Sequence, residues 1–126
     1  MGHGRVLVVD DQPRVLNVLR DIVEDLGYEA STAASGEQAI GAMATVRPHV
    51  VFLDLPTPGI SGMEVLNYVR EHHPTVSVIV IAGNIDQVIA CEARAAGAFA
   101  VVGKPIERDA LKVLVALAMS LAQRKQ

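Results

Sequence analysis

The sequence predicts a doubly wound α/β fold, a (βα)5 three-layer sandwich around a central five-stranded parallel sheet. Two observations lead there. Short β-branched runs recur at Val6–Val9, Val50–Leu53, Val76–Ile81 and Phe99–Val102, and none alternates with polar residues. Strands covered on both faces read this way, whereas a half-exposed strand alternates. Between the runs, apolar residues recur at helical spacing with short connections. Strand–helix alternation with right-handed crossovers then places helices on both faces of a parallel sheet.

Taken in order, the first run leads to Pro13, a favoured first-turn residue. Val15, Leu16, Leu19, Ile22, Val23 and Leu26 then form one apolar helix face that stops at Gly27. Tyr28–Ala33 is a short, more polar strand candidate and is expected near an edge of the sheet. Ser35, followed by Glu37 and Gln38, caps a helix through Val46 that ends at Pro48. After Val50–Leu53, Ser61 opens a third helix with Val65, Leu66 and Val69 inward, closing before Pro74. Asn84 caps a fourth helix reaching Gly97, and Glu107 to Gln123 form the last.

The bulk properties narrow the function classes. With 126 residues the chain reads as a single domain, 1–126, with no recognisable output domain and room for a real core. A hydrophobic content of 51% against 20% charged residues excludes disorder. A net charge of −3 without a basic block disfavours nucleic-acid binding. The single cysteine, Cys91, forms no internal disulfide and suits a reducing cytoplasm. The apolar stretch Val113 to Ala122 is about half what a membrane helix needs, so no membrane association is expected and the location is read as cytoplasmic.

In doubly wound sheets the functional crevice lies beyond the carboxyl ends of the strands. Asp10 and Asp11 follow the first strand, Asp54 the third, Ala82, Gly83 and Asn84 the fourth, and Gly103, Lys104 and Pro105 the fifth. Singly, each acid could cap a helix or a turn, and Lys104 could be a surface lysine. Together they are costly, because like charges about 5 Å apart repel by roughly 3 kcal/mol per pair at an effective dielectric near 20. A hard divalent cation explains three acids on one rim, since Mg²⁺ takes one or two carboxylates, a carbonyl and waters. With Lys104 adding positive charge, an incoming phosphoryl group would find its oxygens balanced and a carboxylate aimed at it.

The set VLVVDD, VVFLDLPTPGISG and GAFAVVGKP resembles the receiver domain of two-component response regulators over essentially the whole chain. The resemblance implies a flavodoxin-like strand order, 2-1-3-4-5. It makes Asp54 the phospho-acceptor for a sensor histidine kinase or phosphotransfer protein, and Lys104 the catalytic contact to the phosphoryl oxygens. It assigns Mg²⁺ to Asp10, Asp11, Asp54 and the backbone carbonyl of Pro56. It also implies a cis Lys104–Pro105 bond and places Gly83, Asn84 and Pro105 around the phosphoryl group. Chemistry would be limited to phosphotransfer and self-catalysed dephosphorylation.

Three positions depart from the family. Its fourth strand ends on Thr or Ser, here Ala82; its fifth carries Tyr or Phe three residues before the lysine, here Val101. The usual Met three residues after the acceptor is Thr57, within Pro-Thr-Pro. The nearest aromatic to Val101 is Phe99, expected on the same strand face. Methyl for hydroxyl and isopropyl for ring remove both halves of the family's relay, so phosphorylation is expected with a weakened or rerouted switch.

The fourth helix, fifth strand and fifth helix form the family's output face. Val88, Ile89 and Cys91, together with an apolar arc too wide for one buried stripe on the last helix, predict a homodimer or output partner there. His3, His49, His72 and His73 read as surface residues. A phosphorylation-independent dimerisation or docking module is the alternative function. An aspartyl-phosphate hydrolase is disfavoured because Pro56 stands where its acid is needed, and dinucleotide binding because Asp-Asp replaces a glycine-rich turn.

Overall fold

Strand and helix alternate throughout the computed structural model, which describes residues 4–55, 62–83 and 87–125. In order these are β1 (Arg5–Val9), α1 (Pro13–Asp25), β2 (Glu29–Ala33), α2 (Gly36–Val46), β3 (Val50–Leu55), α3 (Gly62–His72), β4 (Ser77–Ala82), α4 (Gln87–Ala95), β5 (Ala100–Gly103) and α5 (Arg108–Lys125). The strands form one parallel sheet in the order β2-β1-β3-β4-β5, as expected. The polar β2 lies at one edge and the half-buried β5 at the other.

Continuous apolar strands are needed because the sheet builds two cores at once. Leu7, Val9, Val51, Leu53, Val78 and Val80 pack against α2, α3 and α4. Their alternates Val6, Val8, Val50, Phe52, Ile79 and Ile81 pack against α1 and α5. Phe52 is wholly buried between β1 and β4, and truncating such a ring to alanine costs about 3–5 kcal/mol.

Local signals act as the sequence indicates. Ser35 caps α2 by accepting the Gln38 N–H, while Gln38 Oε1 accepts the Ala34 N–H, so one orphan donor of the helix and the N–H just before its cap are satisfied. Pro13 occupies the first turn of α1, whose cap position, Gln12, makes no side-chain cap bond. The expected caps Ser61 and Asn84 lie outside the described residues.

Three expectations are corrected. β3 does not stop at Leu53. Its backbone continues through Asp54 and Leu55, paired with Ile81 and Ala82, because ladder hydrogen bonds ignore side-chain polarity. Phe99 and Val101 do not share a face. The strand begins at Ala100, and the ring of Phe99 turns to the α1/α5 core while Val101 packs into the other. His49 is buried, at 5% exposure, rather than on the surface. Its N–H donates to the Arg5 carbonyl, its own carbonyl accepts from Ser77, and its Nδ1 accepts the Arg5 N–H at 3.1 Å. The imidazole thus closes the amino-terminal edge of the sheet.

Candidate functional site

Parallel strands ending level with one another bring distant residues to one rim. Asp54 is the penultimate residue of the central strand β3 and is 4% exposed. Asp10 follows β1, the neighbouring strand, and its backbone N–H donates to the Ala33 carbonyl at the end of β2. Lys104 follows β5, and its backbone N–H donates to the carbonyl of Ala82 at the end of β4. The rim is therefore fixed by main-chain bonds before any side chain acts.

The side chains then meet. Lys104 Nζ lies 3.0 Å from Asp54 Oδ2, an ion pair joining residues 50 apart in sequence. To make it, the lysine reaches across the end of β4, about 10 Å at ordinary strand spacing. Ala82, buried at that strand end, stands under the span. Asp10 is 1% exposed. Its Oδ1 accepts the Gln12 N–H at 2.9 Å, whereas Oδ2 has no hydrogen-bond partner among the described residues.

The electrostatics follow from this crowding. Burial pushes the Asp10 carboxyl above its usual range, and the neighbouring Asp54 carboxylate, which favours a protonated Asp10, pushes it further. The Gln12 N–H and the charge of Lys104 pull the other way without winning. A buried carboxylate oxygen without a hydrogen-bond partner, beside a second buried carboxylate, is the chemical setting a hard cation fits. No group of three or more His, Cys, Asp and Glu side chains is gathered as a metal cage among the described residues.

The expected site is thus assembled in part. Asp10, Asp54 and Lys104 come together. Asp11 is exposed and makes no hydrogen bond or ion pair among the described residues. Pro56 and Asn84 lie outside those residues, as does Thr57. Gly83 is exposed, with open space where a Cβ would stand, and Pro105 is exposed after a cis Lys104–Pro105 bond. Val101 is half-buried beside Val80 and packs toward the α2–α4 core. Sequence reasoning missed the supporting backbone groups, the Gln12 and Lys104 N–H and the Ala33 and Ala82 carbonyls. Every residue type carries them, so no residue signal announces them.

Comparison with known proteins agrees with this geometry. The response regulator receiver domain family model matches residues 6–116. The nitrogen assimilation regulatory protein NtrX of Azorhizobium caulinodans is 36% identical over 123 residues, covering 94% of this chain and 26% of that protein. The transcriptional regulatory protein KdpE of Mycobacterium tuberculosis is 40% identical over 104 residues, covering 82% of this chain and 46% of that protein. The chain thus spans about a quarter of the length of NtrX and under half that of KdpE. The crystal structure of the receiver domain of NtrX from Brucella abortus superposes with a TM-score of 0.85 at 30% identity, over 91% of this chain and 98% of that one. With its strand order, its buried acids and its lysine, the chain belongs to the response regulator receiver domain family.

Proposed function

We propose that Asp54 accepts a phosphoryl group from a sensor histidine kinase or a phosphotransfer protein. The observation that carries this reading is the 3.0 Å contact between Lys104 Nζ and Asp54 Oδ2 at a buried carboxylate. An Asp54 oxygen attacks the phosphorus of a phosphohistidine, the P–N bond breaks, and the departing imidazole keeps the electron pair. Lys104, with its side chain 28% exposed, can follow the negative charge from Asp54 to the transferred phosphoryl oxygens. Asp10 and Asp54, joined by Asp11 and the Pro56 carbonyl, would hold Mg²⁺, which supplies charge neutralisation for the acids and the phosphoryl oxygens.

Output is the weaker half. Ala82 has no hydroxyl to draw toward a phosphoryl oxygen, and Val101 has no ring to follow it. A hydrogen bond to a charged group contributes about 1.5–3 kcal/mol, a large part of the roughly 5.5 kcal/mol that moves a two-state switch from 1:99 to 99:1. Phosphorylation therefore shifts the conformation little, and replacement of the missing hydroxyl by the Gly83 amide or by Asn84 is the alternative. No described helix is long and apolar enough to cross a membrane, in keeping with a kinase partner on the cytoplasmic side.

Incubation with acetyl phosphate and Mg²⁺, read by intact mass, tests the acceptor. One added phosphoryl group is expected on the parent chain and none on Asp54→Asn. Equal labelling of both would overturn the assignment.

A second reading is a phosphorylation-independent docking or dimerisation module. It is favoured by Val88, Val113 and Leu117, which are 64%, 60% and 56% exposed. Cys91 on α4 is exposed as well. Partner binding through α4 and α5 that is unaltered in Asp54→Asn would select it.

A further inference from the structure

We propose that the end of the sheet opposite Asp54 holds a binding site for a small phosphate-bearing anion. A cavity of about 530 Å³ opens there, where the chain enters β1, β3 and β4. Arg5, Arg47, His72 and His73 line it, together with Met43 and Pro74 among others, and no acidic side chain does. The volume is in the range of ordinary small-molecule pockets. The chain as a whole is acidic, at −3, so four basic side chains around one acid-free cavity run against its average.

Helix-end chemistry explains part of this arrangement. Arg5 Nε donates to the carbonyls of Val46 and Arg47 at 3.1 and 2.9 Å, neutralising the end of α2. That contact uses one of the five guanidinium donors and leaves the other four. Two helix ends, α2 and α3, contribute about half a negative charge each. Two arginines outweigh them, and among the described residues neither Arg5, Arg47, His72 nor His73 is in an ion pair.

Arg47 adds an independent sign. It ends α2 in the left-handed region, at φ 51°, the one non-glycine residue with positive φ among those described. Equivalent turns after α1 and α4 use Gly27 and Gly97, at φ 84° and 102°. Left-handed backbone disfavours a side chain, so placing a long cation where glycine fits better points to a use for the charge. His72 and His73 are held as well, with the Tyr68 ring tilted against them at ring-centroid distances of 4.4 and 5.8 Å. Two guanidinium forks on a rim of oriented imidazoles match the oxygens of a phosphate or diphosphate. Ala44 and Pro74, both exposed, offer apolar surface for a small organic body.

The test uses ¹⁵N-labelled protein with EDTA, titrated with pyrophosphate or ADP at ionic strength held constant with chloride. Saturable shifts are expected at the Arg5, Arg47 and His73 amides, with Lys104 unmoved. Arg47→Gly suits the left-handed turn, so it should keep or raise Tm while weakening binding by about tenfold. Equal affinity for pyrophosphate and ADP would mean that phosphate alone is read, and tighter ADP that the organic body is read too. Shifts reproduced by chloride, shifts centred on Lys104, or undiminished binding by Arg47→Gly would overturn the proposal.

Discussion

The corner formed by Asp10, Asp54 and Lys104 and the corner formed by Ala82 at the rim and Val101 two residues below the end of β5 lie at the same end of the sheet, yet they are built to different standards. The first is fully furnished: two acids buried to 1% and 4%, a lysine at 3.0 Å, and backbone donors fixing each strand end. The second keeps the backbone but has a methyl and an isopropyl group where the proposed reading needs a hydroxyl and a ring. The Ala82 carbonyl still holds the Lys104 N–H, and Val101 still fills its place beside Val80, but neither side chain can hydrogen-bond a phosphoryl oxygen. On the function proposed above, receiving a phosphoryl group and reporting it are separable demands on one fold.

The largest effect should come from the furnished corner. Lys104→Ala removes the cation beside Asp54 and is expected to slow phosphotransfer by about 10²–10³-fold, the usual loss when one preorganised donor is deleted. Stopped-flow labelling with a phosphorylated kinase or a phosphoramidate donor measures it. A change under threefold would mean that the ion pair is structural only.

A middle-sized effect should come from refurnishing the other corner. The double change Ala82→Ser and Val101→Tyr supplies a hydroxyl and a ring. It is expected to enlarge the phosphorylation-dependent shift in population by roughly 10- to 100-fold, equivalent to one hydrogen bond to a charged group. Ala82 is buried, so serine is the smaller intrusion. Chemical-shift differences with and without beryllofluoride report the shift, and no gain would move the deficit elsewhere.

The smallest effect concerns stability and pH. The folded state holds the proton of Asp10 more tightly than the unfolded chain does, because burial raises its pKa above 3.8. In the absence of divalent cations, stability should therefore be highest below 3.8 as far as this group is concerned, falling as pH rises through the raised value. Asp10→Asn removes that loss, and should raise Tm at neutral pH in EDTA while abolishing the rise in Tm expected from Mg²⁺ in the parent chain. Unchanged Tm in both conditions would remove Asp10 from the metal set.

Much of this was legible in the residues, for a physical reason. Strands buried on both faces must be apolar throughout, so β1, β3 and β4 announce themselves and dictate where Asp10 and Asp54 emerge, while the shorter apolar run of β5 places Lys104. What escaped depends on backbone geometry, which residue type does not encode. The β3 ladder runs past Asp54 because pairing ignores polarity. Phe99 lies one residue before β5, so strand alternation does not govern its ring. His49 is buried because main-chain partners satisfy it, and Arg47 takes a turn that sequence habit reserves for glycine.

The division between the two corners is tested most directly by amide chemical shifts of the protein with Mg²⁺, before and after beryllofluoride is added. Changes confined to the surroundings of Asp10, Asp54, Ala82 and Lys104, with Val88, Val113 and Leu117 on α4 and α5 unmoved, are the predicted result. Large, concerted shifts running from Gly83 through α4 and β5 into α5 would contradict it.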